Sequence, residues 1–564
     1  MASKLIVNNL ESLTNGRDIT VDSIVTEQQL GLLEDDLLDR VIRVTSIAEM
    51  EAYEVPAGYV FSLNSAGRSG VFDVVAGDFS SKLTDDTENG VYVGLADNVT
   101  GSTKVAKRRI ATYISPEWFG AVGNGTTNDA VALQACIDYA SVTHETISLS
   151  AVVYRTTTAL NVTKAVSITG TLPSPFVTSP GSRDKGSWLY FDHAGSGLYL
   201  DSGGSILGTV RLDGFGTFRN QPSPGIGWAP GTFAFDIEGN NVDLVIGDLV
   251  LLNPTKGIRL TNGDAGRLTV TGSLRGQPLL VGVDLDEQYD APRIGMIHFW
   301  PFWQDNTNVH DYTMANLNAV ILRRVDNPFI DSFFSIFARA GISIEESAAG
   351  TTSKLKLGTF EADRGLYGIS VESSVSAVCT ATAANFVFQG ESGLVNVNAI
   401  VSLGDNFRMY IANAHISDCY SNAIRLASSS NCHIDIGNCY IRNYDTGGNG
   451  ATAIEATATN SVTFANVPDI VKVGTAAIFS GAGNISAPLD SGTIDASSDD
   501  FGTIQFSVSL PISPRKVFIQ VFTDTALFTS VIIRDAGTIG IRLYDSTGAT
   551  KASTAVSFCW SASY

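Results

Sequence analysis

From the middle of the chain onward a short pattern keeps returning, in which a small residue is followed by apolar, any, apolar: GLYL, AFDI, GIRL, GVDL, AVIL, GISI, GISV, AIRL and AIEA. The first apolar positions are Leu198, Phe235, Ile258, Val283, Val320, Ile342, Ile369, Ile424 and Ile454, with a looser copy at Val401. Successive intervals between the nine closer copies and Val401 range from 22 to 37 residues. A period in the low twenties with irregular additions is what coils of a β-solenoid produce, since each coil is a few short strands joined by turns that accept inserted loop. The alternating apolar residues then stack on their equivalents one coil away, about 4.8 Å distant, because no coil can bury them alone. Small residues before each strand suit tight corners.

A second register precedes the first. LVIGDLVLL, KLKLGTFEAD, MYIANAHIS and IDIGNCYIRN align on Ile246, Leu357, Ile411 and Ile436. Placing MIHFWPFW in the same frame on Met296 puts Val250, Trp300, Glu361, His415 and Tyr440 in one column and Leu252, Phe302, Asp363, Ser417 and Arg442 in another. Both columns are expected to face outward, with Leu249, Phe299, Phe360, Ala414 and Cys439 as the inward set. Upstream, EWFGAVGNGTTNDAVALQACIDYA (117–140) reads as a turn, an N-cap at Thr127 or Asn128, and one helix over about 127–140. Such a helix can plug the open end of a solenoid, which would otherwise expose apolar core and unpaired strand edges.

That segment is similar to the WFGAVGDGxTDD…AIQAAID motif of the pectate-lyase-like superfamily as found in bacteriophage tailspikes, with Asn124 and Asn128 where Asp is usual. GRSGVFDVVAGDFSSKLTDDTENGVYVG (67–94) resembles the small β module that precedes the motif in such proteins. The resemblance implies an all-β, right-handed parallel β-helix with an N-terminal capping helix, assembled as a homotrimer that meets a bacterial surface polysaccharide. It divides the chain into an N-terminal virion-attachment arm (1–45) docking on the phage tail or baseplate, a small β module (46–113), the helix with its cap (114–484) and a C-terminal domain (485–564). Alternating strands separated by turn residues make that last part a β-sandwich, serving trimerisation or sugar binding.

Composition narrows the partners. The net charge of -21 and the absence of a basic run beyond residues 104–109 argue against nucleic acid and anionic lipid. The first residues lack the basic and apolar regions of a secretory leader, and no stretch has the roughly eighteen apolar residues of a membrane helix, so a soluble protein made in the host cytoplasm and carried on the virion is expected. Six cysteines scattered over 564 residues suggest reduced, buried thiols. Cys432, His433 and Cys439 look faintly like metal ligands, but alternation turns Cys439 inward beside Ile441, so neither metal nor cofactor is expected.

Glycosidic hydrolysis needs one protonated carboxyl for the leaving oxygen and one carboxylate to activate water or attack the sugar. Glu361 and Asp363 lie two apart on one strand face and are the catalytic candidates. Trp300 and Trp303, in an aromatic-dense insert, suit the C–H faces of sugars. Arg339 and Arg364 can hold a carboxylate or merely pair with acids; His415 is a candidate base, and Tyr440 shares its column. Asp331, Asp305 and Glu391 are reserve carboxylates. Two other readings stay open: a lyase acting by β-elimination beside a uronate, in which Arg364, Arg339 and His415 matter more, and a non-catalytic adhesin.

Overall fold

The computed structural model describes residues 40–486, with breaks at 177–184, 264–265, 392, 429–430, 458, 467, 472–478 and 482–483, and the backbone of six strands between Asp490 and Ser563. Residues 1–39, the larger part of the segment 1–45 expected to be an attachment arm, and the side chains beyond residue 485, Cys559 included, lie outside the described residues. Two compact units divide the chain at Ser148.

In the first unit, five strands between Val41 and Arg108 form one sheet over a core of Phe61, Leu63, Phe72 and Val74. The helix expected near 127–140 spans Ala130–Thr143 and buries Leu133, Cys136, Ile137 and Tyr139. The residue at its N-cap position is Asp129, one beyond the expected Asn128, whose carboxamide oxygen accepts the Ala130 N–H at 3.2 Å. The Asp129 carboxylate accepts the N–H groups of Val122 and Gly123 (2.7 and 3.1 Å), so it fastens the preceding loop instead of the first helical turn.

The second unit consists of coils with long parallel sheets. One sheet of 12 strands runs from Leu160–Val162 to Phe479–Ser480. Its register stacks Leu198, Ile237, Ile258, Val283, Val320, Ile342, Ile369, Ile400, Ile424 and Ile454. Two of the expected anchors therefore move. Phe235 pairs with Lys256, two positions before the true equivalent, Ile237; a slip of two keeps the same face inward, so alternation cannot detect it. Val401 belongs to the outward column between Ser370 and Arg425, and Ile400 is the inward residue.

The other long strands bend midway. Arg293–Phe299, Phe329–Ile336, Leu355–Gly365, Cys379–Gly390, Phe407–Ser417 and His433–Arg442 pair in parallel, each coil on the next. Leu274, Ile297, Phe333, Phe360, Phe386, Ala414 and Cys439 form one continuous inward stack. Within it the rings of Phe333, Phe360 and Phe386 lie face to face at 4.8 and 5.0 Å. All three are essentially solvent-free, which contributes roughly 1.5–3 kcal/mol each. At the bend of the lower coils, Asn385, Asn413, Asn438 and Asn466 bond carboxamide to carboxamide at 3.2, 2.8 and 2.7 Å, repeating side by side what the backbone ladder does.

The outward columns are not uniformly exposed as expected. Val250, Leu252 and Phe302 are buried with Trp188 and Phe218 in an apolar cluster, so the upper coils carry cover on this face. A buried ion pair, Arg219 with Asp236 at 2.7 Å, is wholly sealed from solvent and completed by the Thr217 hydroxyl. Five cysteines are buried free thiols; the Cys432 sulfur lies against the Ser428 and Ser402 hydroxyls, while His433 bonds Ser461 and Asp435. Toward the C-terminus the described backbone forms two three-stranded antiparallel sheets. No helix among the described residues is long and apolar enough to cross a membrane.

Candidate active site

Strand Leu355–Gly365 alternates between buried and accessible positions on either side of its bend. Gly358 makes that bend, where an added Cβ would meet the Asp331 carbonyl oxygen at 2.3 Å. Beyond it Phe360 and Ala362 point into the core, so Glu361 and Asp363 project from the opposite face. Their Cα atoms are about 6.5–7 Å apart by strand geometry. Arg364 follows at φ 48, a left-handed kink where the ladder shifts to Gly365, and Asp363 is the last side chain of the regular face.

The strand neighbours set the environment. Glu361 lies between Phe334 and Val387, and Asp363 between Ile336 and Gln389. Among the described residues neither carboxyl makes a hydrogen bond or an ion pair. Burial, reinforced by the charge of Glu361, pushes the Asp363 carboxyl up to about 6. Such a group still holds its proton in mildly acidic solution, as a general acid must.

The aromatic wall reaches this pair through a different register from the one the sequence suggested. Ile294, not Met296, stands in the column of Leu357, through Ile330 of the intervening strand. His298 therefore occupies the Glu361 column, with Phe334 between them. Trp300 falls two positions further on, level with Ile336 and Asp363 by continuation of the same ladder. Its indole is 40% exposed and lies 5.9 Å from the Phe334 ring at 30°. His298 packs edge-on against Phe334 and Phe302, each at 5.3 Å, and burial lowers its basicity. On the far side His415 and Tyr440 continue the Glu361 column, their rings 5.0 Å apart.

The remaining candidates disperse. Trp303 is half-buried, 6.1 Å from Trp228, within the cluster of Leu279, Val309 and Tyr312. Arg364 is held by Glu391 through two N–H bonds (2.5 and 3.2 Å) and lies over the Phe337 ring. Asp331 is exposed at the bend, and Asp305 lies 3.4 Å from His310. Arg339 belongs beside the other sheet, where it pairs with Glu372 at 2.7 Å. That sheet carries further carboxylates, all engaged: Asp284 with Arg323 and Arg259, Glu345 with Arg323 at 3.0 Å, and Glu372 additionally with the Ser370 hydroxyl. Phe334 was missed in the sequence because FIDSFFSI lacks the glycine or alanine at the bend that marks its sister strands, and His298 because its strand was aligned on Met296 instead of Ile294.

In architecture the chain is similar to phage tailspikes. It matches the tailspike protein gp49 of Pseudomonas phage LKA1 at 10% identity and TM-score 0.39, covering 80% of this chain and 99% of that one. The enzymatically active domain of tailspike protein 2 from bacteriophage CBA120 matches at 14% identity and TM-score 0.43, over 94% and 82% of the two chains. The catalytic unit of an α-1,3-glucanase from Streptomyces thermodiastaticus matches at 14% and 0.39, over 68% and 71%. No protein-family model and no curated protein matches the chain. With identities this low, the functional argument rests on the site's own geometry.

Proposed function

We propose that this protein is a phage tailspike subunit that binds a bacterial surface polysaccharide and cleaves it by endo-glycosidic hydrolysis. The observation that carries the reading is a pair of unpartnered carboxyls on one strand face, one of them held up to about 6, beside a half-exposed indole. Asp363 donates its proton to the glycosidic oxygen as the bond to the leaving sugar breaks; Glu361 takes a proton from the water that attacks the anomeric carbon. Trp300 supplies a face for a sugar ring, and His415 and Tyr440 extend the same trough along the stacked coils.

The pectate-lyase-like right-handed winding, the helix Ala130–Thr143 as an end cap, the homotrimer, the virion-attachment arm and the C-terminal β-sandwich belong to the same reading, on the strength of the opening motif. The arginines that a β-elimination would use to neutralise a uronate are already paired, Arg364 with Glu391 and Arg339 with Glu372, which weighs against a lyase. The test is to incubate wild type, Glu361→Gln and Asp363→Asn with surface polysaccharides and size the products. Release of oligosaccharides by wild type alone, with saturated ends, supports the assignment. Unaltered cleavage in both variants moves the site, and products absorbing in the ultraviolet replace hydrolysis by elimination.

A further inference from the structure

On the outer side of the 12-stranded sheet, the middle coils are covered: Ile321, Ser343, Ser370 and Val401, all outward by register, are buried. On the next coil that cover ends, and the column continues as Arg425, Glu455 and Ser480. There the surface opens into a cavity of about 420 Å³, within the range of small-molecule sites. Its lining includes Asn398, Asn422, Arg425, Asn449, Glu455 and Ser480.

These groups are arranged by depth. Asn398 and Asn422 are 2% and 5% exposed and follow one another in register at the start of successive strands. Each carboxamide nitrogen is already committed, Asn398 to the Asn422 carbonyl at 2.6 Å and Asn422 to the Thr452 carbonyl at 2.7 Å. Among the described residues no donor is bonded to either carboxamide oxygen. Two fixed acceptors are thus held at the floor, where their nitrogens determine which way the amides turn. At the rim, the buried Asp445 carboxylate accepts the N–H groups of Asn449 and Gly450 (3.0 and 3.1 Å), which fastens the loop. Asn449 uses its oxygen on Ala451 and keeps its amide donors. Arg425 reaches Glu455 with Nε alone, at 3.3 Å, so its terminal N–H groups are further donors while the pair's charge cancels.

We propose that this cavity is a second carbohydrate site, one that takes an uncharged hexose or N-acetylhexosamine unit. Floor acceptors and rim donors match hydroxyl groups, which need both, and a lining with one cation and one anion gives no preference for a charged sugar. The site lies on a different sheet from Glu361 and Asp363 and holds polymer without acting on it. It rests on the polysaccharide reading only for the identity of its natural ligand.

The test measures saturation-transfer NMR from the full-length protein to free glucose, galactose, N-acetylglucosamine and glucuronic acid. It uses Trp300→Ala as the background, so that the indole-walled trough contributes little. Transfer to at least one neutral sugar, weakened about tenfold in affinity by adding Arg425→Ala or Asn449→Ala, supports the site. Asn449 stands on a surface loop, so its variant keeps the test informative if Arg425→Ala folds poorly. Absence of transfer to every neutral sugar, transfer to glucuronic acid alone, or transfer indifferent to both substitutions overturns it. The readout is binding, so its failure leaves the cleavage assay of Glu361→Gln and Asp363→Asn standing, and the converse also holds.

Discussion

The two sheets of the solenoid treat their outward carboxylates in opposite ways. On the 12-stranded sheet Asp284, Glu345 and Glu372 each have an arginine, and Asp284 is buried because Arg323 and Arg259 make burial tolerable. On the bent strands Glu361 and Asp363 have each other and an apolar flank, so burial raises Asp363 with no cation to oppose it. A paired carboxylate has its charge and its lone pairs engaged, even where burial still raises it, as at Asp284; an unpaired one is a cost to the fold and is available for proton transfer.

Substitutions sharpen this contrast in order of effect. Asp363→Asn is expected to reduce cleavage by up to ~10⁴-fold, about 5 kcal/mol in the barrier, with the fold unchanged, as read by initial rates and circular dichroism. Arg323→Ala leaves Asp284 with the more distant Arg259 and Glu345 with no arginine, and should lower stability by about 3 kcal/mol in denaturant unfolding while leaving the trough's chemistry intact. Trp300→Ala should raise KM about tenfold with little change in kcat, the signature of lost uniform binding. Asn413→Ala interrupts the carboxamide ladder and is expected to cost about 1 kcal/mol, with activity preserved.

Acidity gives a further discriminant. Because the folded-state value of Asp363 is raised, its contribution to stability is fully present below the ordinary aspartate value and is lost as pH climbs through about 6. Asp363→Asn should therefore be at least as stable as wild type at neutral pH, the reverse of Arg323→Ala. Cleavage by wild type should decline on the alkaline side with a midpoint near 6, since the acid must carry its proton. A rate that instead rises through this range would assign Asp363 as the base.

Much of the coil frame was legible because period-two alternation reports the inward face directly: Ile258, Val283, Val320, Ile342, Ile369, Ile424 and Ile454 share one stack. The errors differ in kind. Phe235 for Ile237 is a slip of two, which preserves facing and moves a residue about 7 Å along the strand, where alternation is blind. Val401 for Ile400 is a slip of one. Met296 for Ile294 crosses the break in alternation at Gly295, from a buried to a 40% exposed position, and placed Trp300 beside Glu361 when its level is that of Asp363. Glu361 and Asp363 were found because they share one strand, where register cannot intervene; Phe334 and His298 required knowledge of which coils are adjacent.

The sequence by itself determined most of which side chains face in and which face out, since alternation depends only on neighbours along the chain; Val401 and Met296, both read as inward, are the exceptions. Tertiary structure decided which outward residues remain exposed, which carboxylates acquire arginines and which indole stands over the trough. Those outcomes depend on which strands lie side by side and on the chain inserted between them. Both are set by packing between coils more than twenty residues apart, and a local pattern carries no record of such distances.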